Sequence, residues 1–322
     1  MLDVNTFQVP NGAGWHLYAK RVIDPEHFDP QLRPVAIVPG YGMNSFIFGF
    51  HPSGRSMEEY LAGAGFEVWS MNFRGQDHTV SENGSRFYGI GDIAKVDLPA
   101  IINFILQNTT GRRRKIDIIG CSLGATYVFA YAALNRPNPL ANIVAMGGPL
   151  RWVDIHPVLR IAFSQPRLLR YLDLRHTRTL ARCVLPIAAR IPSLLHIYMH
   201  PEIVDVSHAA DLAKTVENPN PVLNQEIAVW IADKDLVLDG VNISVAFKQI
   251  TNPLFCIQAN ADGVVPESTA FSALDLASSK VKDSLIVGTE EIRMAHADMY
   301  ISHYAQDFVF KPLAGWLLAN RK

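Results

Sequence analysis

The run IDIIGCSLG, residues 116–124, sets two side chains able to attack a carbonyl carbon, Cys121 and Ser122, between two glycines. A nucleophile at the tip of a sharp strand-to-helix turn presents its reactive atom to substrate. The turn is so tight that bulky side chains two positions to either side collide with the adjoining strand or helix. With Ser122 at the tip those positions are Gly120 and Gly124; with Cys121 at the tip they are Ile119 and Leu123, which clash. The register therefore selects Ser122 and leaves Cys121 as a small apolar side chain beneath the turn. A serine hydroxyl needs a general base, and the base needs an orienting carboxylate. Asp262 in ANADGVVP and His296 in MAHADMYIS supply them, in the order Ser122, Asp262, His296. Taken singly, His296 reads as one loop histidine among 11 and Asp262 as a turn former; the serine and the chain order make them a set. Asp298 is too close in sequence to His296 to orient it, and Asp154 is the rival acid. The tetrahedral oxyanion needs two preorganised amide donors. Leu123, directly after the nucleophile, supplies one, and Tyr41 in Gly40-Tyr41-Gly42-Met43-Asn44 the other. Together these groups would carry out acyl transfer from an ester-like carbonyl.

They can do so only if the fold carries them to one edge of a sheet. Over the first 150 residues, short β-rich runs alternate with helical patterns. The sequence predicts strands at Pro34–Pro39, Glu67–Asn72, Lys115–Ile119 and Ile143–Met146. Helices are predicted at Met57–Ala64, Asp97–Gln107 and Leu123 to about Leu134. That alternation implies βαβ units and a parallel sheet covered on both faces. From Arg151 to about Lys248 the pattern turns mostly helical. Strand-like runs resume at Leu254–Gln258 and Ser284–Val287, and Asp307–Asn320 reads as a closing amphipathic helix. On a parallel sheet Ser122, Asp262 and His296 then all follow strands, at the same C-terminal edge.

With 322 residues and 49% hydrophobic content the chain can bury a large core, as one domain or a domain with an insertion. A formal net charge of -1 gives no electrostatic reason to expect nucleic acid as a partner. The N-terminus lacks a basic segment followed by an apolar one, and no apolar run reaches the ~18 residues of a membrane span. The expectation is a soluble cytoplasmic protein. Cys121, Cys183 and Cys256 are scattered, without a C-x-x-C pair, and no histidine spacing suits zinc, so neither a disulfide framework nor a metal is expected.

At these residues the chain resembles the α/β-hydrolase superfamily. NFRGQDHT (Asn72–Thr79) is similar to that family's Arg-Gly loop, and Pro39-Gly40 stands where its oxyanion loop usually has His-Gly. DIAKVDLPAIINFI (Asp92–Ile105) resembles acid lipases of the cholesteryl-ester type. DGVNISVAFKQITNPLFCIQANADGVVP (Asp239–Pro266) resembles polyhydroxyalkanoate synthases, whose elbow carries a cysteine where this chain has Ser122. The resemblance implies a mostly parallel central sheet flanked by helices, with a core of residues 1–149 and 251–322 and a helical cap over 150–250. It also implies a serine esterase or lipase working through an acyl-enzyme on Ser122, without cofactor, on a small ester of short to medium acyl chain. Two alternatives stand beside it: an acyltransferase or thioesterase acting on acyl thioesters or hydroxyalkanoate esters, and a non-catalytic ligand-binding member of the fold. Residues 151–200 carry eight arginines against two aspartates, and residues 201–240 eight acids against two lysines. The two halves either pair or are solvated, or the basic half is a lid over an apolar acyl tunnel, making a weak contact with a membrane surface or an anionic acyl carrier. Arg112-Arg113-Arg114-Lys115 reads as a solvated turn at the far edge of the sheet.

Overall fold

The chain enters as an antiparallel pair, β1 (Asp3–Pro10) and β2 (Trp15–Ile23), in a computed structural model that describes residues 1–169, 177–179 and 195–321. In β2, Trp15, Leu17 and Ala19 are buried while His16, Tyr18 and Lys20 are half-buried, a period of two that the sequence reading passed over. β3 (Val35–Val38), β4 (Val68–Asn72), the two-residue β5 (Val80–Ser81), β6 (Ile116–Cys121) and β7 (Leu140–Met146) follow. The pair β8 (Val237–Leu238) and β9 (Val241–Asn242) forms a small separate sheet, and β10 (Leu254–Ala259) and β11 (Lys282–Val287) complete the large one. Its order is β1-β2-β4-β3-β6-β7-β10-β11, with β5 on the side of β2. From β4 to β11 every pairing is parallel. The strands expected from apolar runs are all present, and β3, β4, β6 and β10 are buried at every residue, as a sheet covered on both faces requires. The edge strand β11 begins with the exposed Lys282 and Asp283, which discourages pairing with another chain.

Successive side chains of β6 divide the core in two. Ile116 and Ile118 join one apolar cluster with the helices Leu98–Asn108 and Leu123–Leu134. Ile119 and Cys121 join the other, with the helices Met57–Gly63 and Lys311–Ala319. The helix Leu123–Leu134 is apolar around its circumference and buried from Leu123 to Ala132, as befits a helix packed on several sides. The helix Met57–Gly63 starts where Ser56 and Glu59 cap each other reciprocally.

The stretch after β7 is not uniform. The helix Pro221–Asp233 sends Leu223, Ile227 and Trp230 into the first apolar cluster, and the helix Ile243–Phe247 packs Phe247 edge-to-face on Phe129 with ring centroids 4.9 Å apart. Between them β8 and β9 turn through Asp239 and Gly240, both at positive φ (49° and 79°), the Asp-Gly hairpin signature. Two described arginines of the basic half pair with acids of the second half: Arg151 with Asp235 and Arg178 with Glu217. Arg170, Arg175, Arg182, Arg190 and Cys183 lie outside the described residues. Among the described residues no helix is long and apolar enough to cross a membrane.

Candidate active site

At the end of β6 the backbone turns through Ser122 with φ 55° and ψ −128°, in a region that L-residues seldom occupy. The flanking glycines are required by space. A Cβ on Gly120 would stand 2.3 Å from Ala125 Cα in the following helix, and one on Gly124 would stand 2.4 Å from the Val38 carbonyl oxygen at the end of β3. The Ser122 amide donates to the Met146 carbonyl of the neighbouring strand (2.8 Å), fixing the turn against the sheet. Cys121 lies beneath it, wholly buried, and burial pushes its thiol up to about 12, so it stays protonated at neutral pH.

Gly40 reaches the same place from β3. A Cβ there would stand 2.7 Å from Ser122 Cβ and 3.3 Å from the Leu123 amide nitrogen, so the loop after β3 lies directly against the elbow. Tyr41, next in that loop, sends its hydroxyl to Asn224 Oδ1 in the helix Pro221–Asp233. Three further links tie the loop to the stretch before that helix. Asn44 N donates to Thr215 O, Glu217 N donates to Gly42 O, and Met43 bridges Val216.

Asp262 and His296 arrive from the far strands. His296 Nδ1 lies 2.6 Å from Asp262 Oδ2, and the side chains are only 4% and 0% exposed. The other carboxylate oxygen of Asp262 accepts the amides of Val264 and Val265 (2.8 and 2.9 Å), which holds the acid in the orientation that meets the imidazole. The His296 ring rests on Gly147, just beyond β7, where a Cβ would stand 2.8 Å from its Cε1. Among the described residues its buried Nε2 has no hydrogen-bond partner, which leaves that ring nitrogen open to a reacting group. The sheet thus brings Gly40, Ser122, Gly147, Asp262 and His296 to its C-terminal edge from five strands. Asp154 goes elsewhere: it is exposed and accepts from Ser268 Oγ (2.8 Å).

Two residues that the sequence reading left without a role shape this edge. Asp298 is buried and accepts the amides of Ala295 (2.7 Å) and His200 (3.1 Å), clamping the loop that carries His296 to the chain segment above it. Burial raises its carboxyl to about 7. Its proximity to His296 in sequence was the signal, though for holding the loop and not the ring. Glu217 accepts on Oε1 from Asn44 Nδ2 (2.6 Å), the Asp77 amide (2.8 Å) and Arg178 Nη2 (2.8 Å), and nothing in the local sequence marks it. Beside His296, the side chains of Ile47, Leu195, Tyr198, Met199, Leu212 and Ile301 line an apolar cavity.

Residues 33–290 match the family model of the alpha/beta hydrolase fold. Among curated proteins, Lipase member M of Mus musculus is 41% identical over 93 residues, 27% of this chain and 21% of that one. Lysosomal acid lipase/cholesteryl ester hydrolase of Rattus norvegicus is 30% identical over 168 residues, 48% of this chain and 40% of that one. The matched stretches thus span about a fifth to two fifths of those relatives. Among solved structures, a soluble variant of monoglyceride lipase from Saccharomyces cerevisiae superposes with a TM-score of 0.68 at 13% identity, over 98% of this chain and 95% of that one. A 2-hydroxy-6-oxo-6-phenylhexa-2,4-dienoate hydrolase from a Rhodococcus strain gives 0.65 at 14% identity, over 99% of each chain. At those identities the superpositions speak for the fold, and the family model speaks for descent. The chain belongs to the α/β-hydrolase fold family.

Proposed function

We propose that the protein is a serine carboxylic-ester hydrolase. The observation that carries this reading is the buried His296–Asp262 pair, whose Nε2 is left open on the edge where Ser122 is held at positive φ. In the proposed reaction His296 Nε2 takes the Ser122 proton as Oγ attacks the acyl carbon, and later returns it to the leaving alkoxide. Asp262 fixes the tautomer that keeps Nε2 basic and stabilises the imidazolium. The amides of Leu123 and Tyr41 hold the oxyanion; Gly40, by lying flush against Ser122, lets that loop come close enough. Water then attacks the acyl-enzyme by the same route in reverse. The acyl chain is assigned to the apolar cavity beside His296, and the lipase names of the partial relatives agree with an ester substrate.

A fluorophosphonate probe tests this directly. It should label the wild type stoichiometrically and leave Ser122→Ala unlabelled, and that variant should lose on the order of 10⁶ in kcat on p-nitrophenyl esters. Cys121→Ala should retain most activity, because the thiol is buried and protonated. Equal loss in folded Cys121→Ala would move the nucleophile, and labelling without turnover of any ester would make the protein a binder.

A further inference from the structure

Away from the triad, three side chains of the segment above it converge. We propose that His196, His200 and Glu202 form a binding site for one borderline divalent cation, Zn²⁺ foremost. Their ligating atoms all lie within 4.8 Å of one another. His196 Nε2 is 3.1 Å from Glu202 Oε1, and His200 Nδ1 is 3.8 Å from Glu202 Oε2. Around a tetrahedral zinc ion with bonds of 2.0–2.1 Å, ligand atoms stand about 3.3 Å apart, so small side-chain rotations close the set. The two imidazoles stack with centroids 4.4 Å apart and an angle of 10°, so their in-plane lone pairs run nearly parallel and one ring must tilt to bring both nitrogens onto one ion. Two imidazole nitrogens with one carboxylate oxygen suit Zn²⁺ and neighbouring transition metals; Mg²⁺ and Ca²⁺ prefer oxygen throughout. Partial exposure, 40% at His196 and 54% at Glu202, gives the ion a path from solvent and leaves room for water as the fourth ligand. The nearby Arg293 opposes a cation and the Asp298 carboxylate favours one.

The spacing His-x₃-His-x-Glu stands in the sequence at residues 196–202, where the sequence reading expected no histidine spacing suited to zinc. Its position gives the site a consequence. Between His196 and Glu202, Ile197 O accepts the Gly263 amide (3.0 Å) and Tyr198 O accepts the Ala297 amide (2.8 Å). Gly263 and Ala297 are the next residues after Asp262 and His296. An ion joining His196 to His200 and Glu202 would clip shut the segment that covers both triad loops, without touching the triad. The inference concerns metal binding alone and does not depend on ester hydrolysis.

The full chain, freed of metal by dialysis, should bind one Zn²⁺ by calorimetry and show a rise in melting temperature with Zn²⁺ that Mg²⁺ does not produce. Co²⁺ in its place should give the intense visible bands of a four-coordinate site. The double variant His196→Ala/His200→Ala should lose the Co²⁺ bands and the melting shift, and Glu202→Gln should weaken Zn²⁺ at least tenfold. The melting temperature of each metal-free variant shows that it has folded. No stoichiometric uptake by the wild type, or the same affinity and Co²⁺ spectrum in the double variant, would overturn the site and leave an ordinary surface ion pair.

Discussion

Strain and clearance act together at the Ser122 turn. Holding a serine at φ 55° costs on the order of 1–3 kcal/mol, and it persists because β6 behind it and the helix Leu123–Leu134 ahead of it leave no other path. The proposed triad acid shows the same over-determination. Asp262 has one oxygen on two amides and the other on His296, so its carboxylate cannot turn away. Asp262→Asn keeps the size but places an amide opposite Nδ1, where its NH₂ can donate and select the wrong imidazole tautomer. We expect kcat to fall by about 10⁴, the loss known for such a swap in a serine triad. Asp154→Asn should stay near wild type, because that residue faces Ser268. A steady-state comparison decides, and wild-type rates in Asp262→Asn would remove it from the mechanism. The placing of Ser122, Asp262 and His296 at one sheet edge was legible in the sequence, because each follows an apolar strand-like run, and the clearances at Gly120 and Gly124 fit Ser122 at the tip of the turn. Glu217 was not legible. Its three donors come from residues 44, 77 and 178, and no local pattern encodes that convergence.

Among elements, the consequential joint lies between the loop after β3 and the stretch before the helix Pro221–Asp233. Arg178 binds Asp77 Oδ2 (3.0 Å) as well as Glu217, so one half-buried ionic knot holds together the loop at Asn44, the turn at Asp77 and the covering stretch. If that knot positions the Tyr41 amide, Glu217→Gln should lower kcat roughly ten- to hundredfold with little change in KM, the signature of a small misplacement. Arg178→Met should do much the same, and the double variant should be little worse than either, since both break one network. A change confined to KM would assign the knot to substrate entry. The apolar cavity allows a second expectation at this scale. Each methylene buried is worth about 0.8 kcal/mol, or three- to fourfold in kcat/KM if kept in the transition state. Rates on p-nitrophenyl esters should rise from acetate to butyrate or hexanoate and then fall, and Met199→Ala or Leu212→Ala should shift the optimum to longer chains. A flat profile that neither variant changes would separate the cavity from the acyl chain. The inner strands were readable because burial on both faces makes them continuously apolar. β1 was missed because an edge strand alternates too weakly, its only fully buried residue being Val9. The hairpin of β8 and β9 was missed although Asp239-Gly240 announces it, because each strand is two residues long.

Across the whole molecule the sheet has two ends with different work. The C-terminal edge gathers the groups proposed for the chemistry, and the N-terminal edge fastens the chain. There Arg33 Nε donates to Asp117 Oδ1 (2.8 Å) at the start of β6, and its terminal nitrogens reach the carbonyls of Asn320 and Arg321 beyond the last helix. Asn142, near the start of β7, donates to the same Asn320 carbonyl (3.1 Å) and gives its amide to Asp117 Oδ1 (3.2 Å). Both charges of the pair are buried, so removing one strands the other. Arg33→Met should therefore cost about 3–5 kcal/mol in urea unfolding, whereas Arg33→Met/Asp117→Leu should recover part of it by taking away the uncompensated carboxylate. Recovery should be incomplete, because the carbonyls of Asn320 and Arg321 still lose donors. The ends are separated by the length of a buried strand, so kcat measured well below the melting temperature should stay within about twofold of wild type in both variants, as expected of distant independent sites. A fall in kcat parallel to the fall in stability would show that fastening the chain terminus also sets the geometry at Ser122 and His296, and that the two edges are not independent.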